Sequence, residues 1–292
     1  MEPIYNMSTI DKKQLSDFIK QALQEDVGDG DHTSLSTIPS GKQGIAKLII
    51  KEDGILAGVE VAVAIFREVD PSLQITIQQN DGGEVAVGDI VLFVAGSIHS
   101  ILIAERLVLN VMQRMSGIAT TTHKVVKLLA GTETKVLDTR KTTPGIRFLE
   151  KEAVRIGGGV NHRFGLYDMI LIKDNHVDYA GGIAAALSAA HEYKRSLKKA
   201  IQIEIEVRNL EELQAVLDFG RVDRILLDNF DFKTLKRAVN LVDGRFITEA
   251  SGGITLENAK QFADCGVNYI SIGALTHSVK SLDMSLKAQI VN

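Results

Sequence analysis

An α/β chain, with a parallel-stranded barrel following an N-terminal α+β domain, is the architecture this 292-residue sequence predicts. Three observations predict it. From about residue 135 onward, apolar strand-like runs alternate with helical segments six times, the pattern of parallel strands joined by helical crossovers. Each run closes on residues able to do chemistry, and in an α/β barrel the site is built from those C-terminal ends. Before that region the pattern differs: short β-type runs are separated by Asp-Gly and Gly-Asp steps that favour tight turns.

Composition sets the scale. With 45% hydrophobic and 24% charged residues the chain can bury a sizeable core in one or two domains. A sequence pI near 6.0 and a formal net charge of -4 argue against general affinity for nucleic acid or anionic membrane. A single cysteine, Cys265, cannot form an internal disulfide or a four-thiolate zinc site and reads as packing in a reducing compartment. The opening MEPIYNMSTIDKK shows no basic stretch followed by an apolar one, and no run reaches the roughly 18 apolar residues of a membrane span. A cytoplasmic location is the expectation.

Along the chain, Leu15, Phe18, Ile19, Ala22 and Leu23 recur at helical spacing, predicting an amphipathic helix over residues 10–25 that ends before the turn-rich EDVGDGDHTS. Strands are expected in AKLIIKEDGILAG, LQITIQQN and EVAVGDIVLFVAG, with a helix in EVAVAIFREV between the first two. These make a domain over residues 1–110. Residues 111–292 make the barrel domain. A long helical region, SILIAERLVLNVMQRMSGIATTTHKVVKLLAG, bridges the two, with Gly117 as an expected interruption. The six strands then fall in KVLDT, DMILIK, IQIEIEV, RILLD, RFITEAS and NYISIG. An open sheet would gather its ligand groups at one switch point, so contributions from six strand ends favour a barrel.

Those strand ends carry the candidate site. In IQIEIEV, Gln202, Glu204 and Glu206 share one face and Ile203, Ile205 and Val207 the other. Carboxylates pointing into a barrel are costly unless paired or bound to a cation. Glu204 reads equally well as half of a structural ion pair. Glu206, nearer the open end, is the better functional candidate, and Asp228 of LLDNF can face the same ligand, suiting ribose hydroxyls, a magnesium ion or a developing positive charge. As a bland alternative, Asp-Asn after a strand is a common turn or helix cap.

The stretch GGGVNHRFGLYDMILIKDNH supplies His162, Arg163 and, at a strand end, Lys173. Arg163 can grip a carboxylate in bidentate fashion; Lys173 acts as a point charge. In EASGGI and SIGALTHS, Ser251, Gly252, Gly253 and Gly273 can present backbone N–H groups to a phosphate, with His277 as an added donor. Any one cation near a strand end is usually a solvated side chain. Arg140, Lys141, Arg163 and Lys173 occupy three such segments, so a barrel gathers them at one mouth and implies a strongly anionic ligand.

At these residues the sequence resembles the quinolinate phosphoribosyltransferases, also called nicotinate-nucleotide pyrophosphorylases (carboxylating). LNVMQRMSGIATTTH, DTRKTTPGIR, GGGVNHRFGLYDMILIKDNH, LLDNF, EASGGI and ISIGALTHS carry the resemblance in order and spacing, joined by EDVGDGDHTS and KEDGILAG near the start. It covers essentially the whole chain. The resemblance implies an N-terminal α+β sandwich domain and an incomplete, seven-stranded α/β barrel, one strand more than the pattern reveals, with the C-terminal tail packing back on the first domain. It implies a homodimer, open to higher assembly, and a magnesium-dependent reaction of quinolinate with phosphoribosyl pyrophosphate giving nicotinate mononucleotide, pyrophosphate and carbon dioxide.

Carried over motif by motif, the resemblance assigns quinolinate to Arg140, His162 and Arg163, with Arg106 reaching in from the other subunit. Lys141 and Lys173 would contact substrate carboxylate or the pyrophosphate side of the donor. Glu206 and Asp228 would hold ribose hydroxyls and magnesium, directly or through water; Ser251, Gly252, Gly253, Gly273 and His277 would hold the 5'-phosphate. Leu107 and His99 depart from the family's usual threonine and arginine. Two other readings stay open: a phosphoribosyltransferase acting on nicotinate, which has one carboxylate and loses none, and a non-catalytic paralogue that binds an anion for transport or regulation. The cations Arg140 and His162 favour the dicarboxylate.

Overall fold

The computed structural model describes residues 10–289. Two compact units emerge. One takes in the described residues up to His123 together with Thr142–Gly158 and the segment from Leu275 onward; the other comprises Lys124–Lys141 and Gly159–Ala274. A cut at residue 110 divides the sequence, whereas compactness follows contacts and interleaves the two halves.

In the first unit, helix α1 (Lys12–Val27) starts where the Asp11 carboxylate accepts the Gln14 N–H at 2.7 Å. The expected turn region that follows holds a short helix, α2 (His32–Thr37), because Asp31 caps it through the Ser34 N–H. Next come β1 (Gln43–Ile50), β2 (Gly54–Ile55), α3 (Val59–Val69), β3 (Gln74–Ile77), β4 (Glu84–Val85) and β5 (Ile90–Ser97). Helix α4 (Ile98–Leu128) runs unbroken through Gly117, contrary to the expected interruption. A Cβ at position 117 would collide with the carbonyl of Lys280, so the glycine admits a neighbouring backbone rather than ending the helix.

The second unit is organised by β6 (Lys135–Leu137). Helix α5 (Arg147–Ile156) follows in sequence but belongs to the first unit, and Arg147 is its opening residue. Then come β7 (Met169–Ile172), α6 (Asp174–Ala180), α7 (Ile183–Ser196), β8 (Gln202–Val207), α8 (Leu210–Phe219), β9 (Arg224–Asp228), α9 (Phe232–Val242), β10 (Ile247–Ser251), α10 (Ala259–Ala263) and β11 (Tyr269–Ser271), followed by α11 (Ala274–His277), which from Leu275 onward belongs to the first unit. All six expected strands are present, in one parallel sheet ordered β6-β11-β10-β9-β8-β7. Ile203, Ile205, Val207, Ile225 and Leu227 are fully buried, as expected for a sheet covered on both faces.

The seventh strand is reduced to one residue. Val160 bridges Leu137 in parallel, donating its N–H to Val136 O at 2.9 Å, and the chain then leaves the sheet. No backbone ladder joins Val160 to β7 among the described residues, so the barrel is not closed. The physical reason lies just downstream. Residues 161–165 give their polar groups to Asp138 and Asp168 instead of to a strand: Asn161 Nδ2 and the His162 N–H reach Asp138, and the Phe164 and Gly165 N–H groups reach Asp168.

The chain ends its described path in β12 (Met284–Gln289), antiparallel to β1 in a four-stranded sheet ordered β12-β1-β5-β3. Ile45 to Ile50 pair with Gln289 to Met284. The C-terminal segment thus completes the sheet of the first unit.

Candidate active site

In the parallel sheet, β8 and β9 run in register with Glu204 opposite Arg224 and Glu206 opposite Leu226. Period-two alternation therefore sends Glu204, Glu206, Arg224, Asp228 and, on β10, Glu249 and Ser251 to a common face. These residues form two layers, one deep and one at the strand ends.

The deep layer is a buried charge network. His162 Nε2 lies 2.9 Å from Glu204 Oε2 and 3.5 Å from Glu249 Oε2, while Arg224 Nη1 donates to Glu249 Oε2 at 2.7 Å. The Arg224 guanidinium also stands over the Tyr269 ring at 4.5 Å. Burial disfavours a charged imidazole at His162, but the two carboxylates outweigh it and push its pKa up to about 10. The Arg163 N–H, donating to His162 Nδ1 at 2.7 Å, works against a second ring proton, since Nδ1 accepts only when bare. Burial and Glu249 both lift the Glu204 carboxyl above its usual range. At Glu249 burial acts in the same sense, but His162 and Arg224 prevail and lower its pKa to about 2. One histidine and two carboxylates within 4.8 Å of one another could ligate a metal. Here His162 and Arg224 already answer both negative charges.

The upper layer holds the strand-end candidates. Glu206 is 8% exposed and its Oε2 lies 3.5 Å from Lys173 Nζ. Burial lifts its pKa, Lys173 opposes that, and the charges of Asp228 and Asp174 add to it. Asp228 is held on both oxygens: the Ser251 hydroxyl donates to Oδ1 at 2.5 Å and Asn229 Nδ2 to Oδ2 at 2.6 Å. Ser251, expected as a phosphate ligand, thus spends its hydroxyl on Asp228. Gly252 and Gly253 follow with φ of 96° and 60°, a backbone path that strongly favours glycine, and the space beside Gly253 is open. Two neighbouring carboxylates with hard oxygen donors fit magnesium in chemistry.

Cations converge on the same unit. Arg163 is 6% exposed, and one of its guanidinium nitrogens donates to Met169 O at 3.2 Å, where β7 begins. Burial, and next the positive charge of Arg140, lower its pKa, so the two guanidinium groups are near enough to repel. Such an arrangement invites an anion between them. Arg140 and Lys141 are both exposed after β6, with the Lys141 N–H donating to Thr139 Oγ1 at 3.0 Å. Arg140, Lys141, His162, Arg163, Lys173, Glu206, Asp228, Ser251, Gly252, Gly253 and Gly273 belong to this one unit. The overall charge of -4 is the wrong scale for such a pocket.

Arg106 and His277 belong to the other unit. Arg106 is exposed on α4, and His277, exposed at the end of α11, has Nδ1 2.8 Å from Ser278 Oγ. In that unit Arg114 braces the segment after Lys141: its Nε donates to the buried Glu150 at 2.7 Å and its Nη2 to Thr143 Oγ1 at 2.8 Å and to Thr276 O at 3.1 Å. Sequence reasoning missed Arg114, Asp138, Arg224 and Glu249. Glu249 was findable, because ITEAS puts it on the same alternating face as Ser251, which was singled out.

Family models match nearly the whole chain: the quinolinate phosphoribosyl transferase N-terminal domain over residues 31–116 and the C-terminal domain over residues 118–287. The chain is 48% identical over 288 residues to quinolinate phosphoribosyltransferase (decarboxylating) 2b, mitochondrial, of Nicotiana tabacum, covering 94% of this chain and 82% of the relative. Its fold matches the crystal structure of NadC from Streptococcus pyogenes with a TM-score of 0.92 at 38% identity, over 97% of this chain and 99% of that one. The nicotinate-nucleotide pyrophosphorylase structure from Francisella tularensis matches with a TM-score of 0.91 at 37% identity, over 99% and 100%.

Proposed function

The chain belongs to the quinolinate phosphoribosyltransferase family, and on that premise we infer that it joins quinolinate to phosphoribosyl pyrophosphate with loss of carbon dioxide, a step of NAD biosynthesis. The observation that carries the reading is the gathering, in one unit, of the guanidinium groups of Arg140 and Arg163 with the strand-end carboxylates of Glu206 and Asp228. The first suits a dicarboxylate, the second a sugar that turns cationic.

As pyrophosphate leaves C1 of the ribose, the sugar gains oxocarbenium character. Glu206 and Asp228 stabilise that charge while holding the ribose hydroxyls, and the Ser251 hydroxyl keeps Asp228 aimed. Lys141 and Lys173 draw the negative charge of the departing pyrophosphate or a substrate carboxylate. Magnesium, which Glu206 and Asp228 would hold directly or through water, would supply charge neutralisation for the pyrophosphate. Arg140 and Arg163 orient quinolinate so that its ring nitrogen meets C1. Once that nitrogen is alkylated, its positive charge stabilises the electron pair left on the neighbouring ring carbon as the carboxylate departs as carbon dioxide, and a proton taken up from water at that carbon completes nicotinate mononucleotide, so no protein nucleophile is required. The turn at Gly252 and Gly253 receives the 5'-phosphate; for Gly273 and His277 the same role rests on the resemblance.

Among the described residues no helix is long and apolar enough to cross a membrane. We place the reaction in the cytoplasm and assign the chain to a homodimer in which the exposed Arg106 serves the partner's site. Mixing equal amounts of Arg106→Ala and Glu206→Ala proteins, each inactive alone, then restores about a quarter of wild-type activity, because half of the dimers are hybrids with one intact site. No recovery after subunit exchange would remove the shared-site reading.

The direct test is incubation with quinolinate, phosphoribosyl pyrophosphate and magnesium, reading nicotinate mononucleotide and carbon dioxide. Absence of both from folded protein overturns the assignment; use of nicotinate without carbon dioxide release moves it to the one-carboxylate reaction. Arg163→Ala should fold and lose at least about tenfold in quinolinate affinity, since a charge-assisted contact contributes about 1.5–3 kcal/mol. Unchanged affinity by calorimetry would take Arg163 out of the substrate site.

A further inference from the structure

The mechanism leaves one strained residue at the strand ends without a function. Asn229 is one of two non-glycine residues with positive φ among the described residues, at 56°. It stands between two parts of the site assigned different substrate groups. Its side-chain Nδ2–H donates to Asp228 Oδ2 at 2.6 Å, and its backbone N–H donates to Ser251 O at 2.9 Å. Its amide also fills the space beside Gly252, where a Cβ would collide with it.

We propose that Asn229 is a positioning residue that holds the Asp228 carboxylate in register with the Gly252–Gly253 turn. The inference rests on the reading of Asp228 as ribose-binding and of that turn as phosphate-binding. One small side chain would then fix the spacing between the two ends of the donor sugar. Asparagine suits the task for two reasons. It tolerates the left-handed backbone better than other non-glycine residues, and it carries an N–H donor for the carboxylate that aspartate in the same conformation lacks. A plain turn residue would need only the first property.

Asn229→Gly separates the two, because glycine keeps the backbone freedom and removes the donor. Asn229→Asp keeps the shape and the left-handed tolerance while replacing the donor by an oxygen. Both are expected to raise KM for phosphoribosyl pyrophosphate and lower kcat, together about tenfold in kcat/KM, the scale of one charge-assisted hydrogen bond. Quinolinate affinity by calorimetry stays within twofold. In an Asp228→Asn background the effect of Asn229→Gly shrinks to within twofold, because the group through which it acts is already altered. Wild-type kinetics in Asn229→Gly would overturn the inference alone, leaving the reaction standing. So would an equal loss of quinolinate affinity, or an undiminished effect in the Asp228→Asn background. An inactive wild-type enzyme would overturn both.

Discussion

Glu249→Ala is expected to cost about 3–5 kcal/mol of folding stability, the scale for removing one partner of a buried ion pair. Glu249 is 1% exposed and answers two cations at once, Arg224 at 2.7 Å and His162 at 3.5 Å. Its loss leaves the buried Arg224 guanidinium to be offset by the ring of Tyr269 and the charge of Glu204. Since domains are stable by about 5–15 kcal/mol, urea denaturation should show the loss clearly. Glu249→Gln keeps the volume and one acceptor and should lose less. A midpoint for Glu249→Ala within the error of wild type would remove the network from the stability argument.

The same groups set a pH signature. Glu249 has a folded pKa of about 2, below its ordinary 4.5, so its contribution is present above about 4.5 and fades as the pH falls toward 2. His162 has a folded pKa of about 10, above its ordinary 6.5, so its contribution is complete below 6.5 and fades as the pH rises through 10. Wild-type stability should therefore sag on both sides. Glu249→Ala should flatten the alkaline side, because one of the two carboxylates that raise the His162 pKa is removed.

Local pattern reached the elements and stopped at their partners. The β8 alternation was enough to turn Glu204 and Glu206 inward, and the apolar runs were enough to find six parallel strands. The pairing of Glu204 with His162 was not readable, because 42 positions of sequence separate them and only the curl of the sheet brings them together. Gly117 misled for a related reason: helix propensity counts the cost of a glycine but not the Lys280 backbone, distant in sequence, that needs the space. The seventh strand escaped because one residue has no period. Ser251 could be placed at a strand end from the pattern, yet which group its hydroxyl serves depends on the register between β9 and β10.

Glu206→Gln and Asp228→Asn should each lower turnover by about 10²–10³, the loss seen when one preorganised group that stabilises developing charge is removed, while quinolinate affinity changes by less than threefold. The separation follows from the geometry, since the dicarboxylate is assigned to Arg140 and Arg163 and not to these acids. The two substitutions should combine to less than the product of their effects, because both act on the same ribosyl cation. Stability supplies a second readout with the opposite sign. Burial and the nearby Asp228 lift the Glu206 pKa, which means that folding disfavours its ionised form at neutral pH. Lys173, 49% exposed, offsets this only in part. Glu206→Gln should thus hold or slightly raise the denaturation midpoint at pH 7 while turnover collapses. An acid retained for the fold would show the reverse, a lower midpoint with turnover kept, and that result would return Glu206 to the role of a structural ion-pair partner for Lys173.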